Sequence, residues 1–199
     1  NLEKTITKAY TELEKLYLYP NKTSGYKFHL RIYFLCSKIN NIYKSYVLNI
    51  IEVGMANKYY KKIEYNNVDI HDTHINFNKD GIKFPTDFNN MFTNKQIQNI
   101  QKQIIELFSI IKQYVVGAKC YKNVQNCYEI FGADVVIQNN LQIKLLEINN
   151  KIGLTQNIND KSNIHYKLFN GFMQLVIDQI FLPKNKQEVL NIKNHFIEV

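Results

Sequence analysis

Two carboxylates set into otherwise apolar strands constrain this chain more than any other feature. Asp134 interrupts the run Glu129 to Ile137 and Glu147 interrupts the run Leu141 to Ile148, on either side of Gln138-Asn139-Asn140. A charge buried among apolar side chains needs a counter-charge, hydrogen bonds or an ion, so any fold that holds these strands must bring something to the carboxylates. The asparagines tolerate the positive φ of a tight turn, and the pattern predicts a hairpin. With Asn139 and Asn140 as its two turn residues, Gln138 faces Leu141 and Asp134 faces Leu145. Glu147 is then the diagonal neighbour of Asp134 on one face, and Asn149 projects to that face as well. Two carboxylates and an amide oxygen are hard ligands of the kind that hold Mg²⁺ together with phosphates and water. A buried ion pair with Lys or Arg neighbours is the other arrangement this spacing allows.

Elsewhere the periodicity changes. Leu2, Ile6, Tyr10, Leu13 and Tyr17 recur at helical spacing and predict a helix over residues 2 to 17, ended by the turn-rich Pro20 to Gly25. Lys27 to Ser37 and Tyr46 to Val53 predict neighbouring antiparallel strands joined by the polar connector Lys38 to Lys44, and Asn57 to Phe92 reads mostly as loop. Ile97, Ile100, Ile104, Leu107, Phe108 and Ile111 predict a helix from Asn94 to Val116. A second amphipathic helix is expected from about Asn163 to Phe181, ended by Pro183, with a short last helix within Lys186 to Ile197. No repeat and no long linker divides the chain, so residues 1–199 read as a single α+β domain with a mainly antiparallel sheet flanked by helices.

Lys and Arg number 25 against 17 Asp and Glu, a formal charge of +8 that favours anionic partners, although an Asn-, Ile-, Lys- and Tyr-rich composition produces such an excess by itself. Cys36, Cys120 and Cys127 form neither an even framework nor a short metal-binding pair, which points to a reducing compartment. No apolar run reaches the roughly 18 residues of a membrane span and no signal peptide opens the chain. A cytoplasmic protein with no membrane partner is the expectation.

On the strand from Lys27 to Ser37, alternation puts Lys27, His29 and Arg31 on one face. Lys27 and Arg31 then point together with room for an anion between them, unless they are the solvated face of an edge strand.

Four stretches in order carry a family resemblance. Phe131-Gly132-Ala133-Asp134, with Glu147-Ile148-Asn149 thirteen residues on, resembles the Phe-Gly-x-Asp and Glu-x-Asn signature of the tubulin-tyrosine-ligase family. Lys27-Phe28-His29-Leu30-Arg31-Ile32-Tyr33 resembles its Lys-Phe-Asp-x-Arg-x-Tyr strand, Val53-Gly54 the turn of the next strand, and His71-Asp72-Thr73-His74 its His-Leu-Thr-Asn loop. The resemblance covers about Tyr19 to Phe181 and implies the C-terminal subdomain of an ATP-grasp ligase. It implies Asp134, Glu147 and Asn149 as ligands of Mg²⁺ bound to ATP, and Lys27 and Arg31 on nucleotide phosphates and the activated carboxylate. His71 and Thr73 would lie near the acceptor, where a loop histidine could take a proton from the attacking amine.

The function so implied is an ATP- and Mg²⁺-dependent ligase that joins an amino acid to a protein, of tyrosine-ligase, polyglutamylase or glycylase type, through an acyl phosphate. An acidic tail such as that of tubulin, or another Glu-rich acceptor, would suit the positive charge. The chain also departs from the pattern. His29 stands at an aspartate position, Asn57 at that of an arginine that holds the amino-acid substrate, and His74 at an asparagine; no proline follows the Glu-x-Asn strand, and nothing before Lys27 resembles the lysine-bearing and adenine-cradling strands. The alternative is a non-catalytic relic serving as a binding or structural module. The Tyr59-Tyr60-Lys61-Lys62 cluster lacks any nucleic-acid fold around it, no histidine and cysteine spacing suits zinc, and Cys36 reads as a buried, inert thiol.

Overall fold

The computed structural model describes residues 15–21, 23–61, 64, 66–73, 88–116, 124–152, 164–182 and 195–199. It is a mixed α/β fold in which an antiparallel sheet is flanked by helices. The strands are β1 (Tyr19–Asn21), β2 (Ser24–Ile39), β3 (Ile42–Leu48), β4 (Glu52–Tyr59), β5 (Cys127–Ile137), β6 (Ile143–Asn149) and β7 (Phe196–Glu198). They form one sheet in the order β6-β5-β2-β3-β7, with β1 and β4 also pairing β2. The helices are α1 (Val68–His71), α2 (Asn94–Val116) and α3, which runs from Ile164 to Phe181 with a π-helical middle, Met173–Ile177.

The 16-residue β2 organises the sheet, and almost all of its residues beyond Lys27 are buried. The two-residue alternation of a strand sends its side chains to two different layers. Thr93 starts α2 with a capping box, its hydroxyl accepting from Gln96 N–H while Gln96 Oε1 accepts from Thr93 N–H at 2.9 Å. Ile97, Ile100, Ile104 and Phe108 form the buried stripe of that helix.

Two compact units make up the chain. The first comprises residues 1–31, 52–103 and 134–147, the second residues 32–51, 104–133 and 148–199. In the first unit, Phe28 meets Tyr17 and Phe92, with Phe88 behind them, and Leu30, Ile97 and Ile100 of the same unit are also buried. In the second, Tyr33 and Leu35 of β2, Tyr46 and Leu48 of β3 and Phe196 of β7 pack on Leu168, Phe172 and Val176 of α3. Phe34, on the other face of β2, stacks on Phe108 of α2 with ring centroids 4.7 Å apart.

The structure corrects five local expectations. Leu16 bridges Gln138 and Tyr17 N–H donates to Ile137 O, so the end of the helix expected over residues 2 to 17 is extended chain; its earlier part lies outside the described residues. The connector Lys38 to Lys44 is instead a two-residue turn, Asn40 and Asn41 at φ 50° and 65°, and strand pairing continues up to Ile39 and Ile42. The expected strand Tyr46 to Val53 is divided between β3 and β4. The stretch read as loop after Asn57 begins with the end of β4 and contains α1. Phe196 and Ile197, at the end of the expected last helix, are strand β7 on β3, because their backbone groups complete the open edge of β3, and residues 186–194 of that expected helix lie outside the described residues.

Candidate functional site

In the first unit, β2 carries the three alternating residues Lys27, His29 and Arg31. Its antiparallel ladder with β4 pairs His29 with Gly54 and Arg31 with Glu52. Between the pairs Phe28–Met55 and Tyr26–Tyr59 the register slips, so that Ala56, Asn57 and Lys58 stand against Lys27 alone. Such a bulge re-aims side chains. It leaves Asn57 half-buried, with its Nδ2 lacking a hydrogen-bond acceptor among the described residues. Lys27 is also half-buried, and loss of hydration pushes its ammonium pKa below the usual lysine value.

Asp134 sits near the middle of β5 and is only 2% exposed. Arg31 meets it with two hydrogen bonds, Nε donating to Oδ1 and Nη2 donating to Oδ2 at 2.9 Å. This is the paired fork geometry that makes an Arg–carboxylate contact strong. The imidazole of His29 approaches from the neighbouring position, its Nε2 3.6 Å from Oδ1, while its Nδ1 shares a 2.6 Å hydrogen bond with Thr73 Oγ1. Thr73, His29, Asp134 and Arg31 thus form one continuous polar chain inside the unit. Gly54 makes room for it, because a Cβ there would meet the His29 ring and the carbonyl oxygen of Thr73.

Thr73 is delivered by the segment that follows α1. Asn67 caps that helix, its side chain accepting from Asp69 N–H, and Ile70 anchors it in the core. His71, at the helix end, donates from Nε2 to the carbonyl of Glu64 at 3.0 Å and lies edge-on to Tyr60. That bond places the ring proton on Nε2 and leaves Nδ1 as the acceptor of the neutral ring. His74 lies outside the described residues.

The turn between β5 and β6 differs from expectation. Gln138 N–H donates to Gln142 O, Leu141 N–H donates to Gln138 O, and Leu141 has φ 65°. Three residues, Asn139 to Leu141, therefore make the loop, a type I turn closed by one left-handed residue. Gln103 of α2 holds it in place, donating to Leu141 O at 2.8 Å and accepting from Ile143 N–H at 3.2 Å. Gln138 pairs with Gln142 rather than Leu141. Counted from there without a further bulge, Leu146 rather than Leu145 stands opposite Asp134, and the turn itself no longer makes Glu147 a diagonal neighbour. Glu147 is exposed on β6, the hydrogen-bonded neighbour of β5, and Asn149 is half-buried two residues further on.

Of the residues singled out in the sequence, the structure joins Arg31, Asp134 and Thr73 through His29. It keeps Lys27 on the same strand and puts His71 on a separate hydrogen bond. Sequence reasoning missed Gly54 as the clearance for His29; an isolated glycine inside a strand was the available signal. It also missed His29 as the link from Thr73 to Asp134. Among the described residues no three His, Cys, Asp or Glu side chains gather. A hard divalent ion such as Mg²⁺ takes carboxylate oxygens and completes its shell with substrate oxygens, and the buried Asp134 carboxylate is a donor of that kind.

Comparison with known proteins points the same way as these motifs. The family model described as the tubulin-tyrosine ligase family matches residues 14–188. Over 169 residues the chain is 27% identical to a probable tubulin–tyrosine ligase of Schizosaccharomyces pombe, an alignment covering 82% of this chain and 41% of that protein. The chain thus spans less than half the length of the curated relative it matches.

Proposed function

Because the chain belongs to the tubulin-tyrosine ligase family, we propose that it is the metal- and phosphate-binding part of an ATP-grasp ligase that joins an amino acid to a protein. The observation that carries this reading is the meeting of Arg31 with the buried Asp134: a cation and a hard-oxygen ligand, from two strands, at one point. Asp134, Glu147 and Asn149 would hold Mg²⁺. ATP bound with Mg²⁺ would supply the phosphoryl group that turns a carboxylate into an acyl phosphate, with ADP as the leaving group.

The chain's own residues have separable tasks. Arg31 and Lys27 offset the negative charge that develops on a transferring phosphoryl group, where positioned cations are most effective. The partly dehydrated Lys27 gains by acquiring an anionic partner, since an anion offsets the cost of its burial. Thr73 and His29 fix the orientation of the Asp134 carboxylate. His71 presents Nδ1 as a proton acceptor near the incoming amine, which displaces phosphate to leave an amide or isopeptide bond. A Glu-rich acceptor such as a tubulin tail suits the net charge of +8.

The experiment is ATP-dependent incorporation of labelled tyrosine, glutamate or glycine into an acidic protein acceptor by the full-length protein, compared with Glu147→Gln. Loss of incorporation with the fold intact supports Glu147 as an essential ligand, and undiminished incorporation excludes it. A second reading, a binding module without catalysis, is favoured by Asn57 and His29 at positions where the family keeps substrate-side residues. No incorporation by a full-length protein that binds ATP would select it.

A further inference from the structure

Both oxygens of the Asp134 carboxylate are already engaged. Arg31 takes Oδ1 through Nε and Oδ2 through Nη2, and His29 Nε2 stands 3.6 Å from Oδ1. The fork takes one lone pair of each oxygen and leaves the others. A divalent ion on a remaining lone pair, at about 2.0–2.1 Å for Mg²⁺, would stand beside the guanidinium, and like charge sets the two against each other. The Arg31 side chain is 16% exposed and that of Asp134 3%, so water screens these charges little, and an ion from solution must compete with a desolvated, bidentate partner.

Resting on the reading that Asp134 is a metal ligand, we propose that Arg31 is a latch on the metal site: its guanidinium closes Asp134 until an anion draws it away. A nucleotide polyphosphate is the anion of matching geometry, because its oxygens take the same two-pronged bond. Glu52, opposite Arg31 in the β2–β4 ladder, adds negative potential on that side of the strand, and a dianionic or trianionic phosphate chain must outcompete it. His29 keeps its bond to Thr73 when Arg31 leaves, so the carboxylate retains one fixed neighbour.

The consequence is coupling. A metal ion alone sees only the fraction of molecules with the latch open, and its apparent dissociation constant is raised by that fraction. Polyphosphate opens the latch and so tightens metal binding, and the metal tightens polyphosphate binding by the same factor.

Titration of the 199-residue chain with Mn²⁺ alone, followed by electron paramagnetic resonance of the free ion, tests this without any turnover. Arg31→Met should bind Mn²⁺ at least about tenfold more tightly than the unaltered chain, as expected if the latch is closed nine-tenths of the time or more. Arg31→Lys, which keeps the charge but loses the fork, should lie between the two. Asp134→Asn placed on the Arg31→Met background should remove the gain. Equal or weaker Mn²⁺ binding by a folded Arg31→Met, judged by circular dichroism, overturns the latch. If Arg31→Met does not fold, Arg31→Lys decides: tighter binding than the unaltered chain supports the latch, and unchanged or weaker binding overturns it. A gain that survives Asp134→Asn shows instead that Asp134 is not a ligand, and it is then the reading of the metal site that fails.

Discussion

The imidazole of His29 lies so close over Gly54 that a Cβ on the glycine would overlap the ring's Cε1 and the carbonyl oxygen of Thr73, and would stand only 2.8 Å from the ring's Nδ1. One missing methyl group therefore sets the position of two partners, and neither can shift without disturbing the polar chain to Asp134. Backbone and ring are both poor at yielding.

Gly54→Ala should accordingly destabilise the protein by about 1–3 kcal/mol, the range for inserting a methyl group into packed space. Urea unfolding measures it. In a double-mutant cycle with His29→Ala the two costs should fall short of additive, since removing the ring relieves part of the clash. Simple additivity would mean that His29 does not occupy that space in solution.

Asp134→Ala and Glu147→Ala should separate sharply. The first strips Arg31 and His29 of a buried counter-charge and should cost roughly 3–5 kcal/mol. The second alters an exposed strand residue and should stay within about 0.5 kcal/mol. Equilibrium denaturation of both variants checks this, and comparable losses would place Glu147 in the folding core.

Cys36 is buried between β2 and β3, its Sγ 3.5 Å from Ser45 Oγ, and burial pushes its thiol pKa up to about 11. At pH 8 it should resist alkylation in the native chain and react once the chain is unfolded in urea, as mass spectrometry of the modified peptide would show. Burial likewise pushes the Tyr46 phenol up to about 12. A folded-state pKa above the unfolded value means that the native state holds more protons, so stability is full below about pH 8–9 and falls as pH rises through about 11 to 12. Cys36→Ala should remove the earlier part of that alkaline loss, and an unchanged profile would count against burial of the thiolate as its cause.

Lys27 has the opposite sign. Desolvation lowers its pKa, so the native state disfavours the charged form, and stability rises with pH as the ammonium loses its proton below the usual lysine range. Lys27→Met should therefore raise the neutral-pH thermal midpoint while weakening binding of tripolyphosphate. A lower midpoint would show that the ammonium has a stabilising partner.

Long periodic elements were legible in the sequence and short-range turn chemistry was not. The stripe from Ile97 to Phe108 marks α2 to its boundaries, and Thr93 with Gln96 supplies its start. Two Asn-Asn pairs, however, look alike in one dimension. Asn40-Asn41 forms the two-residue turn, where pairing continues to the adjoining Ile39 and Ile42. Asn139-Asn140 enters a longer loop because the Gln103 side chain, far away in sequence, bonds Leu141 and Ile143. Tertiary contact also overrides the helical spacing around Leu16 and Tyr17, whose backbone finds partners on the end of β5. In the candidate site, Arg31 and Asp134 were visible as a cation on an alternating face and a carboxylate in an apolar run. Their direct pairing was not, since strand order decides it.

The π-helical stretch Met173–Ile177 widens one turn of α3 so that it holds an extra residue. Deleting a single residue there would restore regular α-helical bonding and leave the faces before and after it close to where they are, because the wide turn already absorbs the extra residue. Before the stretch, Leu168 and Phe172 face the core, and after it Phe181 faces solvent. The chain can thus lose one residue at this point without breaking the helix, and the packing of its first two turns on the core would stay the same.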